Sequence, residues 1–204
     1  TRYWRDWSSD VCSSDLTDDD HEDRFDVLDG LWLNHLHERG YVVLSRIMDA
    51  DQLRTARRCI WNDIETSAPN VKRNDPRTWH AWPLDRRGFM LQGDVAHGLG
   101  AWGVRSLPKV RCAFEQIWGT SELIVSMDAV IAWRPWWIGG AETEGWRPRT
   151  EGLHLDQNPF DKPGRCSVQG MVSLYDVTNE TGGLEVVPES HHAKVRSEEH
   201  TSEL

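Results

Sequence analysis

The sequence predicts a mainly β fold with flanking helices, in which helices from the first half of the chain pack against a β-sandwich or jelly roll. Three observations lead to this class. Apolar residues recur at helical spacing in the first half of the chain, up to Gly119. Beyond Gly119 the pattern changes to short β-branched and apolar runs. Turns that contain Gly and Pro separate these runs, as is typical of short antiparallel strands.

The first elements are predicted from periodicity and capping residues. From Phe25, apolar residues fall at the spacing of an amphipathic helix that ends before Gly40, a suitable C-terminal cap. The β-branched run at residues 41–44 predicts a short buried strand. A second helix is predicted after Asp51, which can cap it, and its apolar face continues to Ile64.

The middle of the chain is less regular. Residues 67–98 contain three prolines and no clear period, which predicts a loop-rich stretch with Trp and His available to line a substrate mouth. Another helix is predicted to begin at Ser106 and Pro108 and to end before Gly119. Strands are then predicted at about residues 123–133, 152–156, 167–175 and 184–187.

Length and charge exclude some classes of function. The 204 residues suggest one domain, and a net charge of −10 without a basic cluster argues against nucleic-acid binding. No apolar run approaches the ~20 residues that span a bilayer, so a membrane partner is not predicted. The chain has four cysteines, of which Cys12 lies in the adapter-like stretch described in the next paragraph. The other three, Cys59, Cys112 and Cys166, are odd in number and lack metal-site spacing, which favours a reducing, cytoplasmic setting.

The two ends of the chain do not read as natural protein. Residues 8–16 (SSDVCSSDL) and 196–204 (RSEEHTSEL) correspond to translations of opposite strands of one common DNA-sequencing adapter. We therefore expect residues 1–16 and 196–204 to be adapter-derived. Residues 17–195 are then expected to be one partial domain whose true termini are unknown.

The segment that carries chemistry is Gly-Leu-His-Leu-Asp-Gln-Asn-Pro, at residues 152–159. His154 and Asp156 are two residues apart, so their side chains would point to the same side of an extended strand. A converging imidazole nitrogen and carboxylate oxygen make up two thirds of the facial triad that binds non-haem Fe(II). A solvated or hydrogen-bonded pair at the end of a strand is the alternative for so short a pattern.

Three segments together resemble the phytanoyl-CoA dioxygenase family of Fe(II)/2-oxoglutarate oxygenases. They are ERGYVVLSRIMDADQLRTARRCI, GLHLDQNP and DVTNETGGLEVVPESHH. The resemblance implies a double-stranded β-helix, a jelly-roll or cupin-like fold, that follows the helices and is incomplete at its C-terminus. It also implies a dioxygenase that uses Fe(II) and the co-substrate 2-oxoglutarate to hydroxylate a small organic substrate.

The resemblance also assigns roles to individual residues. It makes His154 and Asp156 ligands of the metal, and it makes Gln169, on the following strand, a candidate for co-substrate binding, with a plain strand position as the alternative. In the family, a distal His binds the iron and a later Arg pairs with the carboxylate of 2-oxoglutarate. We expect both to be absent from this chain, because His191 and His192 lie in the Pro-x-Ser-His signature and suit a surface or strand-end role. The fragment alone is then expected to be inactive.

Two functions of other classes stay open at this point. A non-catalytic jelly-roll binding module would have kept the His-Asp pair by descent. A cupin-like metal enzyme of different chemistry would use His191 or His192 as an additional ligand. A halogenase of the same superfamily is disfavoured, because those enzymes lack the carboxylate that Asp156 supplies.

Overall fold

The computed structural model describes residues 24–90, 95–138, 143–149, 152–158, 160–162, 164–178 and 181–192. The predicted adapter-derived ends lie outside these ranges. The elements in chain order are β1 (Arg24–Asp26), α1 (Trp32–Arg39), β2 (Val43–Ser45), α2 (Ala50–Ser67), a 3-10 helix (Pro76–Ala81), β3 (Phe89–Met90), α3 (Leu99–Arg105), α4 (Pro108–Trp118), β4 (Val130–Ile131) and a second 3-10 helix (Trp136–Ile138).

The first described elements form a β–α–β unit. β1 and β2 pair in parallel, with Phe25 opposite Leu44, and α1 connects them. Val27 and Trp32 are buried in this unit together with Ala113 from α4. The indole N–H of Trp32 donates to the carbonyl of Val27 at 3.1 Å, so the polar atom of this large buried side chain is satisfied.

Helix α1 is shorter than its sequence predicts, although it ends at the predicted residue. It begins at Trp32 rather than near Phe25, because two aspartates form local turns first. The Asp26 carboxylate accepts from the N–H of Leu28, and the Asp29 carboxylate accepts from the N–H of Leu31, each at 3.0 Å. Gly40 caps the helix at φ +81° as predicted, since glycine adopts this left-handed conformation without a Cβ penalty.

Helix α2 begins at a capping box. The Asp49 carboxylate accepts from the N–H of Gln52 at 2.8 Å, and the Gln52 side chain accepts from the N–H of Asp49 at 3.0 Å. The predicted cap, Asp51, lies instead in the first turn. Ile60 and Ile64 are buried on one face, as their spacing predicts.

Two further helices, α3 and α4, follow α2 later in the chain. α4 begins with Pro108 and ends at Gly119 (φ +66°), as the sequence predicts. α3 is a helix that the sequence did not predict, because two of its seven residues are glycine and lower its intrinsic propensity. Packing on α2 compensates: a Cβ at Gly100 would lie 2.5 Å from the backbone nitrogen of Ile60, so only glycine permits this approach.

The larger buried cluster is rich in tryptophan. The Trp79 ring lies 5.5 Å from Trp61, 5.9 Å from Trp82 and 6.3 Å from Trp146, between ring centroids. Trp79 and Trp82 come from the stretch predicted to be loop-rich, and they are only 2% and 8% exposed. They therefore form core and do not line a substrate mouth.

The predicted fold class is wrong. In the described ranges, strands occur only in two sheets of two, β1–β2 and β3–β4, and no double-stranded β-helix, sandwich or jelly roll is formed. Of the late strands that the sequence predicts, only the end of the first is present, as β4. An alternating apolar segment becomes a strand only where a neighbouring strand completes its hydrogen-bond ladder. Among the residues that the structure describes, these segments have no such neighbour. Their apolar side chains, including Leu153, Met171 and Leu184, are exposed.

Candidate functional site

The His154 and Asp156 side chains converge, although not on the extended strand from which the sequence predicts it. His154 Nε2 lies 3.1 Å from Asp156 Oδ1, and each side chain is 53% exposed. The segment that holds them is irregular rather than a strand. The convergence therefore depends on local hydrogen bonds and not on the pleat of a sheet.

The other ring nitrogen of His154 is held by the backbone. Nδ1 lies 3.0 Å from the carbonyl oxygen of Gly152. Because a carbonyl oxygen only accepts, Nδ1 carries the proton of this hydrogen bond. In the neutral imidazole, Nε2 then presents its lone pair to the Asp156 carboxylate.

A side-chain network folds the loop that follows the pair. The Gln157 amide donates to the carbonyls of Lys162 and Gly164, the latter at 2.6 Å, and its oxygen accepts from the N–H of Cys166 at 3.2 Å. Asn158 accepts from the N–H of Phe160 at 3.0 Å. These bonds turn the chain back on itself, so that residues just beyond Cys166 return to Asp156.

Gln169 is brought against the pair by this return. Its Nε2 donates to Asp156 Oδ2 at 2.6 Å. All three residues that the sequence singles out, His154, Asp156 and Gln169, therefore meet at one place. Gln157 was missed, although an adjacent Gln and Asn directly after the motif are a signal for a loop closed by side chains.

His191 and His192 pack against the C-terminal end of helix α1 and do not belong to this cluster. The last carbonyls of the helix accept their hydrogen bonds: His191 Nε2 lies 2.8 Å from His37 O, and His192 Nε2 lies 3.2 Å from Glu38 O. The backbone N–H of Glu189 donates to Arg39 O at 2.8 Å. The segment of residues 189–192 thus satisfies the C-terminal end of α1, where helix carbonyls lack partners within the helix.

The two donor atoms of the cluster have the separation that neighbouring ligands of an iron ion require. Two neighbouring ligands at about 2.1 Å from an octahedral ion lie about 3.0 Å apart. The separation of Nε2 and Oδ1, 3.1 Å, fits two such positions. Among the residues that the structure describes, no group of three His, Cys, Asp or Glu side chains could hold a metal ion. The cluster therefore offers two protein ligands and not three.

Comparison with known proteins finds a relative of low sequence identity. The chain is 26% identical over 168 residues to a protein of Aspergillus versicolor named Ava biosynthesis cluster protein O. The alignment covers 76% of this chain and 48% of that protein, so the chain spans about half the length of the curated relative it matches. No protein-family model matches the chain, and no solved structure matches it significantly.

Within the described parts of the chain, no helix combines the length and the apolar character needed to cross a membrane.

Proposed function

We propose that this chain is part of an Fe(II)/2-oxoglutarate-dependent dioxygenase of the phytanoyl-CoA dioxygenase family, which hydroxylates a small organic substrate. His154 Nε2 and Asp156 Oδ1 would hold the iron. The bound metal would supply the activation of oxygen, coupled to decarboxylation of 2-oxoglutarate. The observation that supports the proposal most is the facing of Nε2 and Oδ1 at 3.1 Å.

The electrostatics of the pair favour a cation that is bound by both His154 Nε2 and Asp156 Oδ1. Because Nδ1 donates to Gly152 O, the lone pair of neutral Nε2 points at a negatively charged oxygen. Two acceptors at this distance repel each other. A proton on Nε2 relieves the repulsion, and so does a metal ion bound by both atoms to one side of the line that joins them. A neutral imidazole with a carboxylate is a donor set that suits Fe(II).

The relative adds support of a different kind. A protein named for a biosynthesis cluster is consistent with a role in modifying a small molecule. Since the chain spans about half of that relative, we assign the activity to a longer protein. That protein would also contribute the third iron ligand and the arginine for the 2-oxoglutarate carboxylate.

The first test is metal binding by the chain itself. Anaerobic titration with Fe(II), followed by tryptophan fluorescence and equilibrium dialysis, should reveal a site that His154→Ala and Asp156→Ala each abolish. His80→Ala is the matched control, because His80 also hydrogen-bonds a nearby backbone carbonyl, that of Arg77, at 2.7 Å, outside the cluster. Equal Fe(II) binding by the wild type and the three variants would contradict the proposed iron site.

The second test is turnover by a longer protein that contains this sequence. We expect it to form succinate from 2-oxoglutarate, with Fe(II) required and with the activity lost in His154→Ala. Production of no succinate with Fe(II) and 2-oxoglutarate present would contradict the proposed reaction.

A non-catalytic role is the second candidate, and one observation favours it. With Nε2 protonated, Gly152 O, His154, Asp156 and Gln169 already form a complete hydrogen-bonded network. This candidate predicts that Fe(II) leaves the tryptophan fluorescence of the chain unchanged. A saturable response that depends on Asp156 would exclude it.

A further inference from the structure

We infer that Gln169 is a positioning residue, which holds the Asp156 carboxylate in the orientation that aims Oδ1 at His154, and does not contact the co-substrate. The inference rests on the proposed function and deepens it. It assigns Gln169 a role through another side chain. It also implies that the loop closed by the Gln157 side chain brings Gln169 to Asp156.

The chemistry of the contact fixes the direction of the hydrogen bond. An ionised carboxylate only accepts, so the Gln169 amide faces Asp156 with its NH₂ group, as the 2.6 Å distance between Nε2 and Oδ2 requires. Oδ2 is thereby occupied. Oδ1 remains the oxygen that faces His154 Nε2, and a bound metal would take Asp156 through that single oxygen.

Packing cannot supply this orientation instead. The Asp156 side chain is about half exposed, and the terminal torsion of an aspartate is broad when nothing restrains it. Rotation about that bond would exchange the two oxygens or present both to a metal. The hydrogen bond from Gln169 distinguishes one oxygen from the other.

The position of Gln169 depends in turn on Gln157. Residues 167–169 belong to no strand in the described ranges, so no backbone ladder sets their alignment with Asp156. The Gln157 side chain performs this function, because it bonds the backbone on the far side of the loop at Gly164 and Cys166. The amide of Gln169 is therefore engaged on Asp156, which argues against its predicted role in co-substrate binding.

The test uses Co(II) alone as a probe, with the chain of 204 residues. Gln169→Leu removes the donor at an exposed position, and we expect it to weaken Co(II) binding by about tenfold or more, as loss of an outer-shell partner does. The visible Co(II) spectrum should also change, since an unrestrained carboxylate can bind through both oxygens. Gln169→Glu also removes the donor, but its added carboxylate would attract Co(II), so Gln169→Leu is the variant that isolates the hydrogen bond.

Two further variants separate positioning from folding. Ser167→Ala, at an exposed neighbouring position, should bind Co(II) as the wild type does. Gln157→Leu should also weaken binding, because it releases the loop that brings Gln169 to Asp156. Wild-type affinity and an unchanged Co(II) spectrum in Gln169→Leu would overturn the inference while leaving the proposed function in place.

A measurement without metal keeps the two proposals distinguishable. In the NMR spectrum, the signal of the Gln169 side-chain amide is identified by its absence in Gln169→Leu. One of its protons should resonate downfield in the wild type and move upfield in Asp156→Ala. If the wild type binds no metal but this shift is seen, the proposed function fails and the contact stands. If the Gln169 signal does not respond to Asp156→Ala, the inference itself fails.

Discussion

At the residue scale, the two nitrogens of His154 have different tasks. Nδ1 donates to Gly152 O, which orients the ring, and this leaves Nε2 to face Asp156. An ion pair between side chains that are about half exposed is worth little, on the order of 0–1 kcal/mol. The pair is therefore ill suited to stabilise the fold.

Glu65 shows how a carboxylate that does stabilise the fold differs. A side-chain hydrogen bond from Arg73 lowers the pKa of Glu65, and the backbone N–H of Arg73 lowers it further, while burial opposes both. The Arg73 guanidinium donates to Glu65 Oε2 at 2.7 Å, and both side chains are mostly buried. The lowered pKa means that the folded state holds the ionised form more strongly than the unfolded chain does.

We predict that Glu65→Gln reduces the free energy of unfolding by about 1–2 kcal/mol at neutral pH. Because the folded-state pKa is lowered, the contribution is fully present above the unfolded pKa of about 4.5 and disappears as the pH falls through the folded value. Urea unfolding at neutral pH and at about pH 3 measures this. Glu115→Gln is the control, since Glu115 forms an i,i+4 pair with Arg111, whose side chain is 65% exposed. A difference that persists in acid would contradict the assignment.

At the element scale, the end of α1 is joined to a segment about 150 residues away in sequence. Residues 189–192 reach the last carbonyls of the helix, and the His191 ring lies against Gly40. A Cβ at Gly40 would lie 2.4 Å from His191 Nδ1. Gly40 is therefore needed for its left-handed backbone and also for the close approach of the imidazole.

This contact predicts different costs for two glycine caps. Gly119→Ala has open space around the new methyl group and should cost only the left-handed strain, about 1–2 kcal/mol. Gly40→Ala should cost about 1 kcal/mol more, because it also displaces His191. Denaturant unfolding measures both. In the His191→Ala background the excess should vanish, and equal costs in the wild-type background would show that His191 does not rest on Gly40.

The start of α2 gives a second prediction at this scale. Asp49→Ala should destabilise the protein by about 1 kcal/mol, because the N–H of Gln52 loses its acceptor. Asp51→Ala should cost less, about 0.5 kcal/mol, since Asp51 contributes charge in the first turn and an exposed pair with Arg54. Thermal unfolding of the two variants compares them. A larger effect at Asp51 would contradict the observed capping box.

At the scale of the whole molecule, tryptophan packing replaces the expected sheet as the main source of core. The cluster around Trp79 gathers rings from α2, from the 3-10 helix and from the connection near Trp146. Arg134 borders it, with one guanidinium nitrogen 3.0 Å from Trp79 O and the guanidinium carbon 5.3 Å from the Trp146 ring centroid. Burial lowers the pKa of Arg134, which marks the cost of placing a charge beside this core.

We predict that Trp79→Ala lowers the free energy of unfolding by about 3–5 kcal/mol, since it empties the centre of the cluster. Trp102→Ala is the matched control on the surface of α3, where the ring is partly exposed, and it should cost about 1 kcal/mol or less. Near-ultraviolet circular dichroism and urea unfolding report both effects. Similar losses in the two variants would show that Trp79 is not central to the core.

The helical half of the chain was largely readable from sequence. Ile60 and Ile64 follow from spacing, and Pro108 and Gly119 mark the two ends of α4 because their backbone preferences act locally. The choice between Asp49 and Asp51 as a cap was not readable. It depends on which residue adopts the extended conformation just before the helix, and both are capable of it.

The sequence by itself determined what depends on neighbours along the chain: helix faces, glycine caps, and the nearness of His154 and Asp156. Only the tertiary structure decided whether apolar alternation becomes a sheet, because a strand needs a partner whose backbone completes the ladder. Tertiary structure also decided that Gln169 meets Asp156 and that His191 meets Gly40. Contacts between residues distant in sequence depend on how the intervening chain turns, which no local pattern specifies.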